Sequence, residues 1–150
     1  MAKNNSPDLT KQPPRSPRAR LGGYVILPRC LDKGRAALAG KSGDYHYACP
    51  LDQRFLEFTG INPKALKKEL ARGKGDGEIL EWIKANAKHK RAEPEIAAWS
   101  AWQEHRVPDN PESRAFFNEI QKKAAPKRSD LVTWFDLLDL DDYVSFGGRA

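Results

Sequence analysis

The sequence predicts an all-α fold: a single compact domain of six to seven short helices over residues 21–150, preceded by an extended, basic, proline-rich arm over residues 1–20. Three observations predict it. Apolar residues recur at helical spacing along most of the chain. Helix-start signals recur, most plainly Asn62-Pro63 and Asn110-Pro111. Strand-like alternation is confined to residues 44–48.

The elements follow in order. "MAKNNSPDLTKQPPRSPRAR" is rich in proline and basic charge and reads as the arm, with Leu9 as a lone apolar anchor. Leu21 to Ala39 places Tyr24, Leu27, Leu31 and Leu38 on one stripe; Pro28 kinks this helix or starts a second segment, and Gly40 stops it. "GKSGDYHYAC" is a loop, after which Pro50 opens a helix through Phe58 with Leu51, Phe55 and Phe58 on one face and Gly60 at its end. A third helix runs from Pro63 to Arg72. Asp76 is expected to cap a fourth, from Gly77 to about Ala87, with Ile79, Leu80, Trp82 and Ile83 inward. Pro94 starts a fifth, to about Arg106, and Pro111 a sixth, ending before Pro126. Ser129 or Asp130 is expected to cap the last, ending near Asp139, with an irregular tail.

Composition narrows the function classes. A length of 150 residues with 39% hydrophobic and 31% charged residues suits one soluble domain with a sizeable core. No apolar run is long enough to cross a bilayer, and the first residues lack the apolar stretch of a signal peptide. Two cysteines cannot build a disulfide framework, so a cytoplasmic setting with reduced thiols is expected. The net charge of +6 is uneven: residues 129–150 carry five Asp against one Arg. Because Leu131, Val132, Trp134, Phe135, Leu137, Leu138 and Leu140 recur among those aspartates, the acidic segment is expected to dock on the basic body.

Four segments, "RSPRARLGGYVILPRCLDKGRA", "YHYACPLDQRFLEFTGI", "DGEILEWI" and "FDLLDLDDYVSFGG", together resemble a bacterial family known only as a domain of unknown function, number five thousand and sixty-nine. The resemblance runs from about residue 8 to 149. It implies a small bacterial protein and supplies no reaction, ligand or catalytic residue.

The chemistry-bearing residues concentrate in two neighbouring stretches. In "RCLDKGR", Arg29, Asp32 and Arg35 stand three residues apart, so Asp32 can pair with either arginine, or the two arginines can form a bidentate site for phosphate or carboxylate. In "YHYACPLD", Tyr45, His46, Tyr47 and Cys49 precede a helix start. Cys49 could act as a nucleophile with His46 oriented by Asp44 or Asp52, or the tyrosines and Cys49 could simply point inward. The H-x-x-C spacing suits zinc, but Cys30, His89 and His105 are the only other His or Cys residues and offer no second close pair, so no metal is expected. "RGKGDGE" follows no strand and reads as a turn between helices, not a phosphate loop. Trp99 and Trp102 share a face, as core or as the wall of a pocket beside Glu104 or His105. Asp139, Asp141 and Asp142 lack the glycine and distal glutamate of a calcium loop.

The leading expectation is therefore a non-enzymatic binding or interaction module for an anionic small molecule or an acidic partner, held by Arg29, Asp32, Arg35, Tyr45, His46, Tyr47 and Cys49. A small enzyme using Cys49 or His46 is the alternative, with catalytic residues unassigned. Non-specific nucleic-acid binding through the lysines of residues 64–91 is a third reading, disfavoured because Glu78 and Glu81 occupy the first turns of the helix that would enter a groove. No cofactor and no membrane partner is expected.

Overall fold

The computed structural model describes residues 6–150; residues 1–5 of the expected arm lie outside the described residues. Among the described residues there are seven α-helices and no strand: α1 Leu27–Leu38, α2 Pro50–Thr59, α3 Pro63–Ala71, α4 Asp76–Asn86, α5 Glu93–Glu104, α6 Pro111–Ala124 and α7 Trp134–Ser145. All-α is the fold class the sequence predicts.

Helix α1 starts later than expected. Gly22 and Gly23 both take positive φ, 58° and 84°. Leu21 and Tyr24 exchange backbone hydrogen bonds of 3.1 and 3.0 Å across them. Two consecutive left-handed residues make the tight turn that glycine pairs favour, and it cannot continue a helix. Ser100 of α5 anchors the turn: its hydroxyl donates to the Gly23 carbonyl at 2.6 Å and accepts from the Val25 amide at 3.2 Å. Ile26 then takes φ 73°, a strained geometry for a β-branched residue, and donates its amide to the Pro17 carbonyl before α1 begins with Pro28 in its first turn.

The Asn-Pro starts form as the sequence predicts. The Asn62 side chain accepts from the amides of Lys64 and Ala65, and that of Asn110 from Ser113. Two other caps differ from expectation. Asp76 is the first residue of α4, not its cap; Glu78 reaches back to the Gly75 amide at 3.2 Å, and the Asp76 carboxylate is engaged by distant arginines. Helix α7 is capped by Thr133, whose hydroxyl accepts from the Asp136 amide while Asp136 accepts from the Thr133 amide. It therefore starts at Trp134 and extends through Ser145, converting the first half of the expected irregular tail, residues 141–145, to helix.

The core lies where Tyr24–Leu27 and α1 meet α2, α3, α4 and α7, with Val25, Ile26, Leu27, Leu31, Phe55, Leu66, Ile79, Ile83 and Phe135 sealed from solvent. Tyr24 packs edge-on against Phe55 at 5.2 Å, and Phe58 stacks on Trp99 at 4.8 Å, joining α2 to α5. Gly34 lets α3 approach α1: a Cβ there would stand 2.6 Å from Leu70 Cδ1. Phe117 meets Trp134 edge-on at 5.4 Å, joining α6 to α7.

Ion pairs then tie the one segment over residues 15–20 to four helices. Arg15 pairs with Asp32 of α1 at 3.0 Å and with Asp76 of α4 at 2.7 Å. Arg18 pairs with Asp136 and Asp139 of α7, and Arg20 with Glu104 of α5. Leu9, 1% exposed, donates its amide to the Lys41 carbonyl. The acidic C-terminal segment thus docks on basic residues, as its composition predicts.

Two outcomes test this framework. Arg29 and Asp142 form a buried pair at 2.7 Å, with side chains 4% and 9% exposed. Removing one partner strands the other charge, so Arg29→Met is expected to cost about 3–5 kcal/mol in urea unfolding, with much of it recovered in the double variant Arg29→Met/Asp142→Leu. For Asp76, burial opposes ionisation, but hydrogen bonds from Arg15 and Arg35 outweigh it and hold the carboxyl below its ordinary value. A carboxyl with a folded value below its unfolded one stabilises above that unfolded value and loses the contribution as pH falls through the folded one. Asp76→Asn should therefore flatten the acid side of the stability profile measured by thermal unfolding.

Candidate functional site

The residues singled out in the sequence converge on the junction of α1, α7 and the Ser42–Cys49 loop, but in two separate groups. Arg29 donates to both oxygens of Asp142, at 2.7 and 3.3 Å, and to the Arg15 carbonyl at 3.2 Å. The Tyr45 hydroxyl donates to the same carboxylate at 2.7 Å, with the Arg29 guanidinium 5.5 Å from the Tyr45 ring centre. Burial, reinforced by the bond to Asp142, pushes the Tyr45 phenol above its ordinary value. Asp32 accepts from Arg15, and Arg35 donates to Asp76 and to the Lys74 carbonyl. The charged members of the expected anion site thus face partners supplied by the protein itself. His46 is exposed and hydrogen-bonds to none of the described residues. Tyr47 turns toward α3, where its hydroxyl donates to the Pro63 carbonyl at 2.6 Å.

Cys49 belongs to the second group, which sequence reasoning reached only in part. Lys33, one turn beyond Arg29 on α1, directs its ammonium at Cys49 Sγ, 3.1 Å away, and at Asp52 Oδ1, 2.9 Å away. The Lys33 side chain is 4% exposed and that of Asp52 0%. The Lys33–Asp52 contact is an ion pair without an aligned hydrogen bond, so Oδ1 keeps a free acceptor direction inside the protein. Asp52 Oδ2 accepts from the Ala48 amide at 2.9 Å, and the Gln53 side chain donates to the Ala48 carbonyl at 3.0 Å. Both faces of Ala48 are thereby clamped in a left-handed conformation, φ 59°, that alanine rarely adopts. The clamp fixes the direction of Cys49, the partly exposed N-cap residue of α2. Asp52, with Asp44 one of two candidates to orient His46, holds the backbone of Ala48 and the Lys33 ammonium instead. Burial pushes its carboxyl above the usual range, against the pull of Lys33 and the Ala48 amide. Burial likewise pushes the sealed Cys30 thiol well above its ordinary value, with the charge of Asp52 adding to the effect.

A third group lies on the outward side of α2. A cleft of about 500 Å³ is lined by Ala48, Pro50, Gln53, Arg54 and Glu57. The Arg54 guanidinium sits 6.0 Å from the ring of Trp102, a tryptophan 61% exposed on α5. Burial lowers the values of both Arg54 and Arg106, and the charge of Arg54 adds to the effect on Arg106. Neither guanidinium is in an ion pair or hydrogen bond among the described residues, and residues 1–5 contain no Asp or Glu. No spacing in the sequence brings α2 and the end of α5 together, which is why this pair was not foreseen. Among the described residues no three His, Cys, Asp or Glu side chains are grouped so as to hold a metal ion.

A family model described as "Domain of unknown function (DUF5069)" matches residues 11–144. No curated protein matches the chain.

The two aspartates on either side of α1 should titrate in opposite directions. Carboxyl-carbon NMR is expected to place Asp52 above the ordinary value of about 3.9 and Asp76 below it. In Lys33→Met, Asp52 should titrate higher still, because only the lowering ammonium is lost.

Proposed function

The chain belongs to the DUF5069 family, which carries no assigned reaction, and from its own geometry we propose that it is a binding module for a small anionic ligand, held by Arg54 and Arg106. The observation that carries this reading is that these two half-buried cations lack an ion-pair partner in a protein that pairs so many others. Partial burial removes some of the water that would solvate each guanidinium, and the two charges repel. Glu57 and Asp109 temper the field at Arg54 without reaching it. A phosphate or carboxylate group would relieve both costs, since each guanidinium can meet it through two parallel N–H donors. The exposed Trp102 ring supplies an apolar wall beside the charge.

The predicted cations Arg29 and Arg35 enter this reading as the framework that holds α1 against α4 and α7. A cytoplasmic setting accompanies it, because both thiols are unpaired. Nucleic acid is a weaker fit: Lys74 and Arg72 are drawn to Glu69, Lys84 to Glu81 and Arg91 to Glu95, which divides the basic surface of α3 and α4.

Inorganic phosphate and pyrophosphate, titrated by calorimetry at low salt, provide the test. Binding is expected, with affinity falling by roughly tenfold or more in Arg54→Ala and in Arg106→Ala, the size of losing one charge-assisted contact. Lys64→Ala/Lys68→Ala should leave it unchanged. Equal binding by all of these variants overturns the assignment, as does preference for a DNA or RNA oligonucleotide with affinity that tracks the α3 lysines.

A further inference from the structure

We propose that Cys49 is a nucleophilic thiol, set against the Lys33 ammonium and the Asp52 carboxylate, that attacks a small hydroperoxide and carries the resulting sulfenic acid. The inference is independent of the anion site and rests on a built cluster.

The cluster is costly to maintain. A lysine and an aspartate removed from water each forfeit much of their solvation, and apolar side chains of similar size would pack with less penalty. The chain nonetheless buries both, and the same lysine points directly at sulfur. The left-handed Ala48 adds a second cost immediately before Cys49, and two α2 side chains are committed to holding it. Strain and buried charge meeting at one partly exposed thiol are what a reactive site needs, and packing alone needs neither. The free acceptor direction of Asp52 Oδ1, fully enclosed, gives a proton somewhere to go.

Exposure sets where the electrophile arrives. Lys33 and Asp52 are almost fully covered, while Cys49 is partly exposed between Ala48 and Pro50, two residues that line the cleft on α2, so a small, neutral oxidant meets sulfur before it meets either charge. In the step we propose, Sγ attacks the distal oxygen of R–O–O–H. The S–O bond forms as the O–O bond breaks. Sulfur loses two electrons to the departing oxygen. The thiol proton, passed through the Lys33 and Asp52 pair, ends on that oxygen and releases it as an alcohol, or as water from hydrogen peroxide. The balance is Cys–SH + ROOH → Cys–SOH + ROH. Lys33 remains as donor to the new sulfenic oxygen. Cys30, on α1, feels the charges of the same cluster but is fully buried, so no oxidant reaches it and it serves as an internal control.

The test treats the intact protein with equimolar hydrogen peroxide, traps sulfenic acid with dimedone, and locates the adduct by peptide mass spectrometry. Labelling is expected at Cys49 and not at Cys30, and should persist in Cys30→Ser. Native Cys49 should react at least about tenfold faster than the same cysteine in the urea-unfolded chain. Lys33→Met should lose that advantage, while Lys33→Arg, which keeps a cationic donor, should hold most of it. If Lys33→Met does not fold, the native-to-unfolded comparison decides alone. A native rate no faster than the unfolded one, or a folded Lys33→Met with undiminished labelling, overturns the proposal.

Discussion

The structure depends on one unusual demand: α1 buries three charged side chains, Arg29, Asp32 and Lys33, in five consecutive residues. A buried charge without a partner is among the most destabilising features a domain can carry. Each must therefore be met, and each is met by a different segment. Asp142 comes from α7, Arg15 from the segment before the glycine turn, and Asp52 from the first turn of α2. Arg35 extends the pattern to Asp76 of α4. Elements far apart in sequence are fixed around one helix because its charges cannot be left alone. The apolar core supplies most of the driving force, but these pairings restrict which arrangement of short helices satisfies it.

That demand separates what was legible in the sequence from what was not. Local signals read true where only neighbouring backbone was involved: Asn62-Pro63 and Asn110-Pro111 start helices because a short side chain caps amides two or three residues on. Asp76 carried the same local signal and was misread, because Arg15, 61 residues away, and Arg35 claim its carboxylate. Gly22-Gly23 offered a turn signal that the flanking apolar stripe outweighed, and Thr133 was passed over for Ser129 and Asp130. At the site, the density of charge in "RCLDKGR" and of chemistry in "YHYACPLD" marked the right neighbourhood. Which side chain meets which could not be read, since Asp142 stands 113 residues from Arg29 and the Lys33–Cys49 contact depends on how α1 crosses the start of α2.

The loop between α1 and α2 is the place where this framework stops serving stability alone. Tyr45 and Tyr47 anchor it at two points, on Asp142 of α7 and on the Pro63 carbonyl of α3. Between those anchors and α2 the backbone has little freedom, and the left-handed Ala48 is the joint that absorbs the mismatch. Asp52 is committed twice, once to that joint and once to Lys33, so the position of Cys49 and the charge beside it are set by the same side chain. Coupling of this kind makes the geometry of the thiol hard to alter without altering the fold around it.

Charge left over after folding is what a partner can meet. The chain carries +6, yet α1 and the segment before it contribute little outward field, because Arg15, Arg18, Arg20, Arg29 and Arg35 face carboxylates of α1, α4, α5 and α7. Basic residues of α3 to α5 are partly offset by glutamates one turn away. Arg54 and Arg106 differ in having both restricted hydration and no partner, so an arriving anion gains more there than at a fully solvated lysine, where it must displace water already well bound. Net charge draws anions to the molecule as a whole; local desolvation decides where they stay.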